Sequence, residues 1–233
     1  FLAWQPGRPG LELLQQIGPL LAVAFLLAGV VVVVLVQRLW RSSSVLEAER
    51  LSARHDASHD SLTGLANRAQ YDAQLVRDLG PGKPPIALLL LDLDRFKQVN
   101  DTLGHTVGDD VIRAVGQRLR ELIGPTDVLA RLGGDEFAVI HPCRESGASA
   151  HALGVTIVEA MAKPFDVSGS EAFIGASIGV AMSPADGQSV EALLSRSDRA
   201  LYHAKTQRGG YVFAEDLATA APAAAEEVRQ RAA

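Results

Sequence analysis

The residues able to do chemistry lie in four clusters. The first, Leu91-Asp92-Leu93-Asp94-Arg95-Phe96-Lys97, sets two carboxylates at alternate positions where an apolar run stops. Ligand sites of α/β sheets gather at strand ends, where loops bring polar groups together. One acid at such an end suits Mg²⁺, a hard ion that takes oxygen ligands and keeps waters and substrate phosphates as the others. Asp94 is a good N-cap for a helix starting at Arg95, so the reading gives metal to Asp92 and capping to Asp94. The second cluster, Arg131-Leu132-Gly133-Gly134-Asp135-Glu136-Phe137, puts two adjacent acids after a glycine pair. Those glycines let a hairpin turn tightly and a ligand approach its backbone. Asp and Glu are also common at solvated hairpin tips. Beside Asp92, however, three carboxylates on neighbouring strands would repel strongly without a divalent ion between them.

The third cluster is Asn100-Asp101-x-x-Gly104-His105-x-x-Gly108-Asp109. An amide offers donor and acceptor together, and a carboxylate accepts from paired N–H groups such as those on guanine. Taken alone, it reads rather as a loop with turn glycines and a capping Asp. The fourth is Lys205 and Arg208, beyond Asp198 and Tyr202. Cations there either answer a helix dipole or reach phosphates.

The elements that must position these groups follow from hydrophobic periodicity. Residues 67–79 carry an apolar stripe through Tyr71, Leu75, Val76 and Leu79 and read as a helix. Ile86 to Leu91 is a short continuous apolar run after a Pro-Gly loop, hence a central strand buried on both faces. Ile112, Val115, Leu119 and Leu122 mark a helix over 108–122, ended at Gly124-Pro125. Residues 128–132 and 137–141 form a hairpin around Gly133-Gly134. Residues 147–162 are helical, 173–182 a glycine-punctuated strand, 190–205 a helix and 211–213 a last strand. This order predicts an α+β fold with helices packed on a sheet.

Ahead of that domain, Ile17 to Val36 runs 20 residues without a charge, about 30 Å as a helix and long enough to span a bilayer. Arg38 and Arg41 follow it, which puts the C-terminal part in the cytoplasm. The reading divides the chain into a short extracytoplasmic leader (1–16), a transmembrane helix (17–36), a helical stalk (37–59), a catalytic domain (60–213) and an Ala-rich connector (214–233). Leu39, Leu46 and Ala53 recur every seven residues, a hint of a parallel dimeric stalk. The chain begins at Phe1 rather than Met, so more is expected upstream. The net charge of −5 argues against holding nucleic acid by a basic surface. A single cysteine, Cys143, rules out an intrachain disulfide framework.

Together the clusters resemble the GGDEF family of diguanylate cyclases. The matching pieces are Asp60-Ser-Leu-Thr-Gly-Leu-Ala-Asn-Arg68, Asp92-Leu-Asp-Arg-Phe-Lys97, Asn100-Asp-x-x-Gly-His-x-x-Gly-Asp109, Arg131-Leu-Gly-Gly-Asp-Glu-Phe137, Ser177-Ile-Gly-Val-Ala181 and Asp198-Arg-Ala-Leu-Tyr-His-Ala-Lys205. The resemblance spans residues 57–213. It implies a palm-like domain similar to nucleotidyl cyclases, with a central mixed β-sheet of ferredoxin-like type flanked by helices. It implies condensation of two GTP into cyclic di-GMP across a homodimer, with two Mg²⁺ per site or Mn²⁺ in their place. By the same resemblance, Asp92, Asp135, Glu136 and the carbonyl of Leu93 match metal-ligand positions. Asp135, Glu136 and Lys97 match catalytic ones. Asn100 and Asp109 match the guanine readers, and Phe96, Lys97, Lys205 and Arg208 the phosphate contacts. The family's inhibitory Arg-x-x-Asp is degenerate: Asp127 is present, and Gly124 stands where the Arg belongs. Arg208 comes one residue early counted from Lys205 and in place counted from Tyr211. The tail resembles a connector into an EAL-type phosphodiesterase domain. The alternative reading is therefore a weak or inactive GTP-binding module that regulates such a domain. The expected location is a bacterial inner membrane.

Overall fold

The computed structural model describes residues 57–143, 147–167, 169–207 and 209–217, and all of 17–37 except 22, 24, 30, 34 and 36. The chain divides into two units, Phe1–Arg54 and His55–Ala233. In the first, the described residues are helical, and Leu20, Phe25 and Leu26 expose their side chains. Among the described residues no helix is long and apolar enough to cross a membrane. The Leu39, Leu46 and Ala53 repeat, and the tail beyond 217, lie outside the described residues.

The second unit is built on a five-stranded sheet. Its elements are α1 (Arg68–Asp78), β1 (Ile86–Asp94), α2 (Phe96–Leu103), α3 (His105–Leu122), β2 (Val128–Gly133) and β3 (Glu136–Pro142). There follow α4 (Ala148–Met161), β4 (Phe165–Val167), β5 (Ser170–Ala172), β6 (Gly175–Ser183), α5 (Val190–Thr206) and β7 (Gly210–Phe213). The strands lie in the order β2-β3-β1-β6-β7, with β1 at the centre as its unbroken apolar run requires. The β2–β3, β3–β1 and β1–β6 pairs are antiparallel and β6–β7 is parallel, so the sheet is mixed. This is the α+β arrangement expected from the element order, with helices packed on a sheet.

Side chains alternate across a strand, and β1 uses both faces. Ala87, Leu89, Leu91 and Leu93 pack with Val111, Ile112, Val115 and Leu119 of α3 and with Ile157 of α4. Leu88 and Leu90 pack with Tyr71 and Leu75 of α1 and with Leu193 and Ala200 of α5. With both faces roofed by helices, the open ground is left at the strand ends.

Three local expectations are corrected. The helix expected to start at Arg95 is the short α2, and the helix expected at 108 begins earlier, at His105. A two-stranded hairpin, β4–β5, precedes β6. Asp94 is not a helix cap: β1 runs through it, the cap position falls on Arg95, and Asp94 Oδ1 accepts a hydrogen bond from Ser177 Oγ at 2.7 Å. The strand continues because Asp94 still pairs with Gly175 of β6.

Candidate active site

The carboxyl end of β1 and the β2–β3 hairpin form one site because of register. Asp92 is the cross-strand partner of Glu136, so both side chains leave the same face of the sheet. The Leu93 N–H donates to the Asp135 carbonyl at 3.3 Å, which ties the hairpin turn to the buried strand. Arg131 shapes that turn from below. Its guanidinium donates to the Gly134 carbonyl at 2.8 and 3.1 Å and to both Asp60 oxygens at 3.0 and 3.1 Å. Burial alone would raise the Asp60 carboxyl, but hydrogen bonds from Thr63 and Arg131 outweigh it and hold the group below the usual carboxylate range. Arg131 is the first residue of its motif, and only the fold shows that it positions the acids.

Two cations face the acids. Lys205 Nζ, from the last turn of α5, sits 2.7 Å from Asp92 Oδ2, and Arg68, from the start of α1, sits 3.5 Å from Glu136 Oε2. Burial pushes the Asp92 carboxyl above its usual range; Lys205 opposes this, and the charges of Asp135 and Glu136 add to it. The acids therefore sense one another, and the group favours added positive charge. Its donors are carboxylate oxygens, the set a hard divalent cation prefers. Among the described residues no three His, Cys, Asp or Glu side chains are already drawn together around one point; Asp92 and Glu136 are turned to Lys205 and Arg68 instead. Arg68 was not among the expected site residues. The signal for it was its place at the end of the Asp60–Arg68 motif.

The third cluster closes on itself at the corner of α2 and α3. A Cβ on Gly108 would overlap the Asn100 side-chain oxygen and lie 3.4 Å from the Phe96 ring. The Asn100 amide therefore lies over the bare backbone of Gly108, next to Asp109 in the chain. The Asn100 amide and the Phe96 ring both meet Gly108, while Lys97 is exposed one residue beyond Phe96. Arg208 lies outside the described residues.

At the far end of the hairpin, Asp127 is consumed by its own loop. Its carboxylate accepts from the Gly124 N–H at 2.9 Å and from His141 Nδ1 at 2.9 Å, and its side chain is only 3% exposed.

Comparison with known proteins accounts for this arrangement. Residues 57–210 match the family model described as diguanylate cyclase, GGDEF domain. The chain is 41% identical over 169 residues to the diguanylate cyclase TpbB of Pseudomonas aeruginosa, covering 71% of this chain and 39% of that protein. It is 38% identical over 203 residues to the bifunctional diguanylate cyclase/cyclic di-GMP phosphodiesterase MucR of the same species, covering 84% of this chain and 30% of that protein. The chain thus spans less than half the length of these relatives. A solved structure of the TpbB GGDEF domain alone is 40% identical, with a TM-score of 0.64, over 67% of this chain and 94% of that one. The coiled coil and GGDEF domain of DgcB from Caulobacter crescentus, in complex with c-di-GMP, is 33% identical with a TM-score of 0.67, over 77% of this chain and 98% of that one. An acid pair on a Gly-Gly hairpin, set against a strand-end aspartate inside this fold, places the chain in the GGDEF family of diguanylate cyclase domains.

Proposed function

We propose that this chain condenses two GTP into cyclic di-GMP with release of two pyrophosphates, as a homodimer in which each subunit holds one GTP. The observation that carries the reading is the pairing of Asp92 with Glu136 across β1 and β3, with Asp135 on the intervening turn. The 3′-oxygen of one GTP bonds to the α-phosphorus of the other, that phosphorus releases pyrophosphate, and the hydroxyl loses its proton. The same exchange then closes the ring. Asp92, Asp135, Glu136 and the Leu93 carbonyl would hold two Mg²⁺, or Mn²⁺, which lower the hydroxyl pKa and neutralise phosphate charge. Asn100 and Asp109 orient guanine. Phe96 and Lys97 form the phosphate turn, and Arg208 is a further phosphate contact by the family pattern. Lys205, paired with Asp92 before substrate arrives, turns to phosphate oxygens once the Asp92 charge is otherwise matched. The test is mass spectrometry of the purified chain incubated with GTP and Mg²⁺. Cyclic di-GMP is the expected product; none from a demonstrably dimeric protein overturns the reading.

The uncharged run from Ile17 to Val36 would anchor this domain to the inner membrane with its site in the cytoplasm, and 37–59 would couple the two subunits. The likeness to MucR, a bifunctional diguanylate cyclase/cyclic di-GMP phosphodiesterase, supports the alternative that this domain, weak or inactive as a cyclase, binds GTP and regulates a phosphodiesterase domain of the same protein.

Two variants test the assigned parts. Gly108→Ala drives the Asn100 amide off its seat, a movement a flexible side chain makes at little cost to the fold. GTP affinity falls by about tenfold, the weight of one or two hydrogen bonds to guanine, with the melting temperature nearly unchanged. A calorimetric titration with GTP measures it, and wild-type affinity would remove Asn100 from the guanine site. For Asp127→Ala, the loss of two hydrogen bonds costs about 2 kcal/mol of stability. Sensitivity to added cyclic di-GMP stays as it was, because Asp127 is turned inward and Gly124 has no guanidinium. Inhibition present in the parent and lost in this variant would show that the loop still binds product.

A further inference from the structure

We propose that Arg95 is a phosphate-binding residue of this site, one that holds the outer phosphates of GTP from the cavity beside Lys205; the inference rests on the reading of the site as a GTP site. Arg95 joins β1 to α2 with φ 62° and ψ 20°, the left-handed conformation. Every other described residue with positive φ is a glycine. A side chain in that region crowds its own backbone, and such departures gather where a site needs a particular turn. Glycine would make the same turn without strain, so retaining an arginine there points to its side chain. The guanidinium has no hydrogen bond or ion pair with a described residue.

Arg95, Lys205 and Gln98 line a cavity of about 660 Å³ beside the end of β1. Lys205 links this cavity to the acids through its contact with Asp92. One anionic group, Asp94, stands on the same wall, and its Oδ1 is already held by Ser177. Among the described residues, two cations therefore face this cavity with a single acid, directly beside the turn at Phe96 and Lys97. A planar guanidinium offers two parallel N–H donors that match the oxygens of a phosphate. An anion carrying several phosphates can reach both Arg95 and Lys205. A monophosphate held by its guanine at the α2–α3 corner lacks the outer groups.

The experiment separates the side chain from the turn. Arg95→Gly keeps the left-handed turn and removes the fork, and Arg95→Lys keeps a charge without the fork. The 233-residue chain is titrated calorimetrically in Mg²⁺ with 3′-deoxy-GTP, which cannot cyclise, and with GMP. Arg95→Gly is expected to weaken 3′-deoxy-GTP by about tenfold, the scale of a charge-assisted hydrogen bond, and to leave GMP and the melting temperature unchanged. Arg95→Lys should recover part of the loss. Equal binding of 3′-deoxy-GTP by parent and Arg95→Gly overturns the proposal and leaves the function standing, as does an equal loss for both nucleotides. A parent chain that binds neither nucleotide overturns the functional reading itself, and the proposal with it.

Discussion

Asp135→Asn reduces cyclic di-GMP formation by about 10³-fold or more, the scale lost when a charge aimed at the transition state is removed. The substitution keeps size and shape and deletes one negative charge from a group of three. Asp135 sits on the hairpin turn, and its backbone carbonyl, which accepts from the Leu93 N–H, is untouched by the change. The fold and the melting temperature should therefore persist. Asp92 is pushed up by burial and, further, by the charges of Asp135 and Glu136. Removing one of them relaxes the repulsion, so the metal-free variant should be no less stable than the parent. Activity falls because cation binding needs the full charge. Rates are compared by mass spectrometry at saturating GTP, with raised Mg²⁺ as a second condition. A variant within tenfold of the parent rate would remove Asp135 from the catalytic group. Glu136→Gln belongs to the same experiment, and its effect includes the release of Arg68 from its partner.

Gly179→Ala lowers stability by about 3 kcal/mol or more, from the cost of forcing added atoms into a packed core. Gly179 lies in β6, where α5 crosses it, and an added Cβ would overlap the Ser197 carbonyl oxygen and the Leu201 backbone nitrogen. These are main-chain atoms of a helix and cannot swing aside as a side chain does. The helix must lift as a body, and Lys205 at its last turn lifts with it. The expected shift in melting temperature is about 10 °C for a domain of this size, with GTP affinity reduced as well. Thermal and denaturant unfolding measure the effect. Unchanged melting would mean that α5 lies further from β6 than described. The contrast with Gly108 is in the neighbour: at Gly108 the obstacle is the end of one amide side chain, at Gly179 it is a helix backbone.

Much of the fold was legible along the chain. The apolar run at Ile86–Leu91 marked β1 as central because only a strand covered on both faces dispenses with polar residues at every second position. The stripe through Ile112, Val115 and Leu119 marked α3, and the glycine pair at 133–134 marked the hairpin. The misses share a cause. α2 is short and has no fully buried residue, so no apolar period set its extent, and the start of α3 was placed at 108 instead of His105. The β4–β5 hairpin has three residues on each strand, too few for alternation to stand out. The spacing alone suggests a cap at Asp94, because capping is the commonest use of an Asp before a helix, and whether β1 ends before or after it depends on β6 pairing with it.

What the residues determined alone was the chemical inventory and its order: the acids at 92, 135 and 136, the amide and acid at 100 and 109, the lysine at 205, and Gly124 in place of an arginine. Types and spacings are local properties, and a linear chain carries them without folding. The tertiary structure decided what each group faces. It paired Asp92 with Glu136, set Lys205 and Arg68 against them, gave Arg131 the task of holding the hairpin turn, and folded Asp127 inward onto His141 and Gly124. The contacts of Asp92 with Glu136 and Lys205, of Arg68 with Glu136 and of Arg131 with Asp60 join residues tens of positions apart, and they exist only once strand register and helix packing have brought the backbones to fixed distances.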